Sequence, residues 1–257
     1  NVNGGAITAT GTTGINITGG VSGNTITLAA PTITSAGALG AVNLINATAT
    51  GALNITGGSL TAPAINLQGS SVTSNGALTG GPVNATATGG NISLAQAPSI
   101  VLGQLSSSGA VSVTSSGGAI VDGNAGLNVM SPSATLSAAA GVGSIANPLE
   151  TQTGALAVTS SGGEIGIINS GDLTLGNVTF GGANAQIGAT GTMVATGALS
   201  ASAGNLALAS NNGMVILNSV DVSGALVLNS GAGDMGFDGA SVSGNNVTLN
   251  GNNIFVG

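Results

Sequence analysis

Aliphatic residues in this chain recur in pairs one residue apart, and Gly, Asn or Ser interrupts the chain within a few positions of most pairs. Ile15-Asn16-Ile17, Ile26-Thr27-Leu28, Leu53-Asn54-Ile55, Ile65-Asn66-Leu67, Ile92-Ser93-Leu94 and Val111-Ser112-Val113 show the pattern, and Leu173-Thr174-Leu175, Leu206-Ala207-Leu208, Leu226-Val227-Leu228 and Val247-Thr248-Leu249 continue it. Side chains two positions apart lie on the same face of a strand, so each triplet predicts a short strand with one apolar face. The interruptions come too often for a helix of useful length. Even the Ala-rich run from Ser137 to Ala140 is followed by Gly141 and Gly143. The expected fold class is all-β.

The strands also repeat. Aligning Ile26 to Leu39 with Ile65 to Leu78 brings Ile33 onto Val72, Gly37 onto Gly76 and Leu39 onto Leu78, an offset of 39 residues. Asn46-Ala47-Thr48-Ala49-Thr50-Gly51 returns as Asn84-Ala85-Thr86-Ala87-Thr88-Gly89 at an offset of 38, and near the C-terminus Leu206, Leu226 and Val247 follow one another at 20 and 21. The shorter spacing fits one coil and the longer one two, so the unit is a coil of about 20 residues and the chain supplies roughly 13 of them. Such a coil cannot bury its apolar face alone. Stacking coils at the ~4.8 Å strand spacing pairs their backbones and forms inward columns of small aliphatics, which specifies a single-stranded parallel β-helix, or β-solenoid. The expected organisation is one continuous solenoid over 1–257. Two-coil repeats fill 1–117, less regular coils 118–190, and coils of about 20 residues 191–257.

Composition then narrows the function. The sequence holds no Lys, Arg, His, Cys, Trp or Tyr, only three Phe, and carries a formal charge of -7. Without a cationic side chain, phosphate backbones and anionic lipid heads find nothing to bind, so nucleic acid is excluded as a partner. Residues 1–121 contain no charged side chain, but polar residues break each apolar stretch before the ~20 residues that a spanning helix needs, and no membrane span is expected. Absence of Cys removes disulfides, thiol catalysis and Cys-based zinc sites. The chain starts Asn1-Val2-Asn3 with no basic leader, which reads as an internal or processed piece.

Candidate chemistry is sparse. The seven acids are Asp122, Glu150, Glu164, Asp172, Asp221, Asp234 and Asp238. Glu150 and Asp172, 22 residues apart, are the pair that stacking would bring to the ~5 Å of a retaining glycosidase. No Arg, Lys, His, Trp or Tyr is present to position a sugar or stabilise a developing anion, so the acids read as solvated turn residues and the chain as no enzyme. The acidic nonapeptide of calcium-binding β-rolls is missing, and neither metal nor cofactor is expected. Gly231-Ala232-Gly233-Asp234-Met235-Gly236 spells GxGxxG, yet no helix follows to receive a pyrophosphate. Serine nucleophiles lack both His and Lys as a base. Seven sequons, at Asn16, Asn46, Asn54, Asn84, Asn91, Asn177 and Asn246, are potential glycan acceptors, and several of these Asn also suit stacked amide ladders at coil corners. Thr-x-Thr at Thr8-Ala9-Thr10, Thr48-Ala49-Thr50 and Thr86-Ala87-Thr88 resembles an ice-binding array on alternate coils.

Gly118-Ala119-Ile120-Val121-Asp122-Gly123-Asn124, Gly143-Ser144-Ile145-Ala146-Asn147-Pro148-Leu149-Glu150-Thr151, Gly162-Gly163-Glu164-Ile165 and Gly171-Asp172-Leu173-Thr174-Leu175 together resemble the repeat region of filamentous-haemagglutinin-type bacterial adhesins. The likeness covers about residues 118–178. It implies a two-partner-secretion exoprotein with a right-handed β-helix shaft, located outside the cell or on its surface. The expected function is a non-catalytic structural or adhesive shaft. Its partners would be other copies of itself, head to tail or laterally, or the rest of a longer chain, together with host or neighbouring-cell surface glycans. Strand-like sequence at Asn1 and Val2 and at Ile254, Phe255 and Val256 marks the expected polymer contact. The alternative is a monomeric solenoid that binds glycan or ice through an outward Thr, Ser and Asn face.

Overall fold

The computed structural model describes residues 1–182 and 184–257. Among them every regular element is a strand, and every strand pairing given in register is parallel. The chain divides into two compact units, Asn1–Gly117 with Asp122–Ser131, and Gly118–Val121 with Pro132–Gly257. Both units are β-solenoids, and turns of roughly 20 residues, about 13 in all, account for the chain.

A regular turn presents three short strands, here called faces one, two and three in chain order. In the first unit Val2–Asn3, Ala6–Thr10 and Ile15–Ile17 occupy the three faces of the opening turn. Each face then grows by one strand per turn. On face two, Ile7 registers with Ile26, Ile26 with Ile45, Ile45 with Ile65 and Ile65 with Val83. The 39-residue offset in the sequence is therefore two turns, one of 19 residues from Ile26 to Ile45 and one of 20 from Ile45 to Ile65. Ile33, Leu53 and Val72 stack on face three, and Leu39, Leu60 and Leu78 on face one. Burial alternates along these strands because successive side chains point in and out; Ile65–Gly69, for example, buries Ile65 and Leu67 and leaves Gln68 exposed.

The second unit repeats the plan with different packing. On face three Leu173, Met193, Met214, Met235 and Ile254 form one inward column, so three of the chain's four methionines stack on one another, each no more than 1% exposed. Their unbranched thioethers fill a wide turn that holds few aromatics. Phe180 is buried on face one, where Ala201 is its register partner, so a large side chain sits against a small one. Face two runs from Ile165 through Ala185, Leu206 and Leu226 to Val247. The Ala-rich stretch forms no helix: Ser137 and Ala138 end the strand Val129–Ala138, and Ala139 and Ala140 begin the corner that leads to Gly141.

The corners follow one local rule. An inward Ser at the end of a strand donates its hydroxyl to a corner carbonyl two or three residues on, as Ser35 does to Gly37, Ser74 to Gly76, Ser210 to Gly213 and Ser230 to Gly233, at 2.7 to 3.3 Å. Ser160 donates to Gly162 in the same way. These hydroxyls are buried, and the bond removes the penalty of an unsatisfied polar group where the chain turns.

Candidate functional site

The polar side chains link one turn to the next. On face two of the first unit Asn46, Asn66 and Asn84 stand in register and point outward. The Asn66 amide donates to Asn46 Oδ1 at 2.8 Å, the Asn84 amide donates to Asn66 Oδ1 at 2.9 Å, and Asn84 Oδ1 accepts the Gln104 backbone N–H at 2.8 Å. The second unit has a shorter version. Asn205 donates to Asn184 Oδ1 at 2.8 Å and accepts the Ala225 N–H at 2.7 Å. Elsewhere a single side-chain oxygen takes a backbone N–H from a neighbouring turn, as with Asn1 and Gly20, Asn91 and Ala110, and Asn177 and Ala198. The stacked amides expected at coil corners lie instead inside the strands of face two, and two sequon residues, Asn46 and Asn84, are members of that ladder.

The acids are used similarly. Asp172 Oδ1 accepts the Thr192 N–H at 2.8 Å, Glu164 Oε2 accepts the Ile145 N–H at 3.1 Å, and Asp221 Oδ1 accepts the Ser243 hydroxyl at 2.7 Å. Asp122 Oδ1 takes the Asn124 N–H and the Asn128 amide, and Asp234 Oδ1 takes the amides of Asn252 and Asn253. Glu150 and Asp172 are not register partners. The residue beside Glu150 on the next turn is Ile168, while Asp172 stands four positions further along at the corner before Leu173. Among the described residues no three acids gather in a way that would hold a metal ion. Gly231 and Gly233 form a corner leading into the strand Met235–Phe237, which contains Gly236, so the GxGxxG spelling opens no helix.

Thr8, Thr27, Asn46, Asn66 and Asn84 make one outward column on face two, and Thr10, Ala29, Thr48, Gln68 and Thr86 make the next. The Thr-x-Thr motifs thus fall on the same face, with Ala29 and Gln68 interrupting the second column. At the first and last turns the inward columns come to the surface. Val2 registers with Val21, Ile254 with Met235, Phe255 with Gly236 and Val256 with Phe237. Val2 is 54% exposed, Ile254 43%, Phe255 59% and Val256 81%. Asn1 caps the opening corner through its bond to Gly20.

Three buried amides escape the sequence reading. Gln96 accepts the Leu78 N–H at 2.7 Å and donates to the carbonyls of Ser99, Pro98 and Leu78 at 2.8 to 3.4 Å, so its side chain imitates a strand backbone on face one. Asn169 accepts the Thr151 hydroxyl and the Thr153 N–H, both at 2.9 Å, and Asn128 donates to Leu102 and Gly103 carbonyls. Parity gave a usable signal for two of them. Gln96 follows Ile92 and Leu94 at even spacing, and Asn169 follows Ile165 and Ile167, so both had to point inward. Among the described residues no helix is long and apolar enough to cross a membrane. No family model, curated protein or solved structure matches the chain.

Proposed function

We propose that this chain is a non-catalytic structural or adhesive segment of a bacterial extracellular shaft, of the filamentous-haemagglutinin type. The observation that carries the reading is the use of the side chains: Asn, Asp, Glu, Ser and Gln are spent on joining one turn to the next or closing corners. A solenoid built in this way has its function in length, stiffness and surface. Composition supports the reading, since the chain has no Lys, Arg, His, Cys, Trp or Tyr with which to orient a substrate. The resemblance over residues 118–178 supports an extracellular location, and host or neighbouring-cell glycans are the ligands it suggests.

The test is incubation with a panel of plant, bacterial and host polysaccharides, followed by assay for new reducing ends, together with Glu150→Ala and Asp172→Ala variants. A shaft releases no sugar, and both variants fold and bind surfaces as the parent does. Release of sugar that is lost in either variant overturns the reading. A second reading, glycan or ice binding by face two, draws on the two outward columns of Thr and Asn. Thermal hysteresis abolished by Thr48→Tyr would establish its ice-binding form, and glycan binding abolished by the same change its glycan-binding form.

A further inference from the structure

We infer that face two of the first unit binds a neutral, extended β-1,4-linked glycan laid across successive turns, over the amide row of Asn46, Asn66 and Asn84. The inference rests on the adhesive form of the shaft reading and names its ligand and its surface. That surface has three outward rows. Leu44, Ala64, Pro82 and Val101 each stand one residue before the inward Ile45, Ile65, Val83 and Leu102 of successive turns, so they face outward in one half-buried apolar row. A Cβ placed on Gly123 would meet Val101 Cγ1 and Pro82 Cβ together, so the last two members of the row lie side by side. The half-buried amides of Asn46, Asn66 and Asn84 make the second row, and the exposed Thr48, Gln68 and Thr86 make the third. A groove of about 460 Å³ lies between the second and third rows.

Three features select the ligand. The amides are fixed before anything binds, because Asn66 donates to Asn46 Oδ1 and accepts from Asn84, and this leaves the Asn66 amide one N–H and one oxygen lone pair for a ligand. A hydroxyl arriving there meets groups that it need not order. The backbone is closed, because the strands Leu39–Ala49, Ile65–Gly69 and Val83–Ala87 each pair with a turn on either side. A peptide strand therefore finds no edge, and the ligand is met by side-chain hydroxyls and amides. Charge selects as well: residues 1–121 contain no charged side chain and the whole chain carries -7, so a uronate or sulfate is repelled and would lose its water without gaining a partner. The rows repeat at the ~4.8 Å turn spacing and stand ~6.6 Å apart, two residues along a strand. A β-1,4-linked pyranose chain advances by nearly one turn spacing per sugar. Lying over the amide row, it meets Thr48, Gln68 and Thr86 with the hydroxyls of one edge and covers Leu44, Ala64 and Pro82 with C–H groups of the other.

With its formal charge of -7 the chain runs toward the anode in a native gel, and retardation is read against a gel without polysaccharide. Hydroxyethyl cellulose, a soluble β-1,4-glucan, should retard it, while α-1,6-linked dextran and anionic polygalacturonate should not. Gln68→Ala leaves the amide ladder intact and should weaken the retardation by about three- to ten-fold, the worth of one hydrogen bond. Ala64→Glu sets bulk and charge in the apolar row and should abolish it. Thr73→Glu adds the same charge at an exposed position of face three and should bind as the parent does. Circular dichroism confirms that each variant is folded, and Gln68 and Thr73 are exposed side chains whose replacement leaves the core alone. The inference is overturned by absence of retardation in hydroxyethyl cellulose, by equal retardation in dextran or polygalacturonate, by parental binding in both Gln68→Ala and Ala64→Glu, or by equal loss in Thr73→Glu. A chain that is not retarded and releases no sugar refutes this site alone, and a chain that is retarded and releases sugar refutes the shaft reading alone.

Discussion

Gly58→Ala tests whether close stacking of corners holds the solenoid together. Gly37, Gly58 and Gly76 lie above one another at the corner before face one. A Cβ on Gly58 would overlap the carbonyl oxygen of Gly37 and come within 2.8 Å of its carbon and 3.1 Å of the Ala36 carbonyl carbon, where 3.4 Å begins ordinary contact. Clearing the oxygen requires the two corners to part by roughly 1 Å. That separation would break the Thr56 N–H bond to the Ser35 carbonyl, now 2.7 Å, and would draw the Gly37 carbonyl away from the buried Ser35 hydroxyl that donates to it at 3.2 Å. One lost backbone bond and one stranded hydroxyl cost about 1–3 kcal/mol each. Lower entropy of the unfolded alanine chain returns about 0.4–1 kcal/mol, leaving a net loss of about 3 kcal/mol. Two neighbours isolate the cause. Gly40→Ala meets nothing within 4 Å and should be neutral or stabilising by up to about 1 kcal/mol. Gly57→Ala also meets nothing but sits at φ +87°, which costs about 1–2 kcal/mol in backbone strain alone. Guanidinium denaturation followed by circular dichroism should order the variants Gly40→Ala, parent, Gly57→Ala, Gly58→Ala, and amide exchange at Thr56 should accelerate most in the last. If Gly58→Ala is as stable as Gly40→Ala, the corners are looser than argued and close stacking is not what joins the turns.

Asn66→Ala removes two rungs of the outward ladder and should cost about 1–2 kcal/mol by urea denaturation, more than Asn54→Ala on face three. Gln96→Leu strands the buried Leu78 N–H and should cost about 2–3 kcal/mol. Gln96→Glu should be as damaging at pH 7 but recover toward acid: burial raises the folded pKa of the introduced carboxyl, so stability is full below its unfolded pKa and is lost as pH rises through the folded one. Met214→Ala opens a cavity between Met193 and Met235 and should lower stability by about 2–5 kcal/mol, whereas Met214→Leu should cost less than about 1.5 kcal/mol.

Much of this architecture is written in two periodicities. Alternation within triplets such as Ile65-Asn66-Leu67 told which side chains face inward, and the return of Ile26 at Ile65, set beside the steps of 20 and 21 among Leu206, Leu226 and Val247, told how many residues make a turn. Both signals are local and survive without a homologue. Gln96 is harder to read because its role depends on Leu78, one turn away and 18 residues off in sequence, and parity gives direction but no partner. The Glu150 and Asp172 pairing failed for a related reason. A spacing of 22 makes one turn from Val220 to Val242, but the turn that starts at Glu150 meets its register partner Ile168 after only 18 residues, so Asp172 falls four positions beyond it.

The same dependence explains why a candidate site is hard to find in such a chain. In a globular enzyme, polar side chains converge on a pocket because the backbone satisfies its own bonds elsewhere. In a stacked solenoid each turn is held only by its two neighbours, so a polar residue gains most by bonding to the turn above or below. Asn66 spends its amide on Asn46 and Asp172 its carboxylate on Thr192, and each is thereby removed from chemistry. Recognition then falls to the outward side chains that stand beside the ladder, such as Thr8, Thr48 and Thr86 on face two, so a surface built by stacking turns offers rows of small hydroxyls where a globular enzyme offers a pocket.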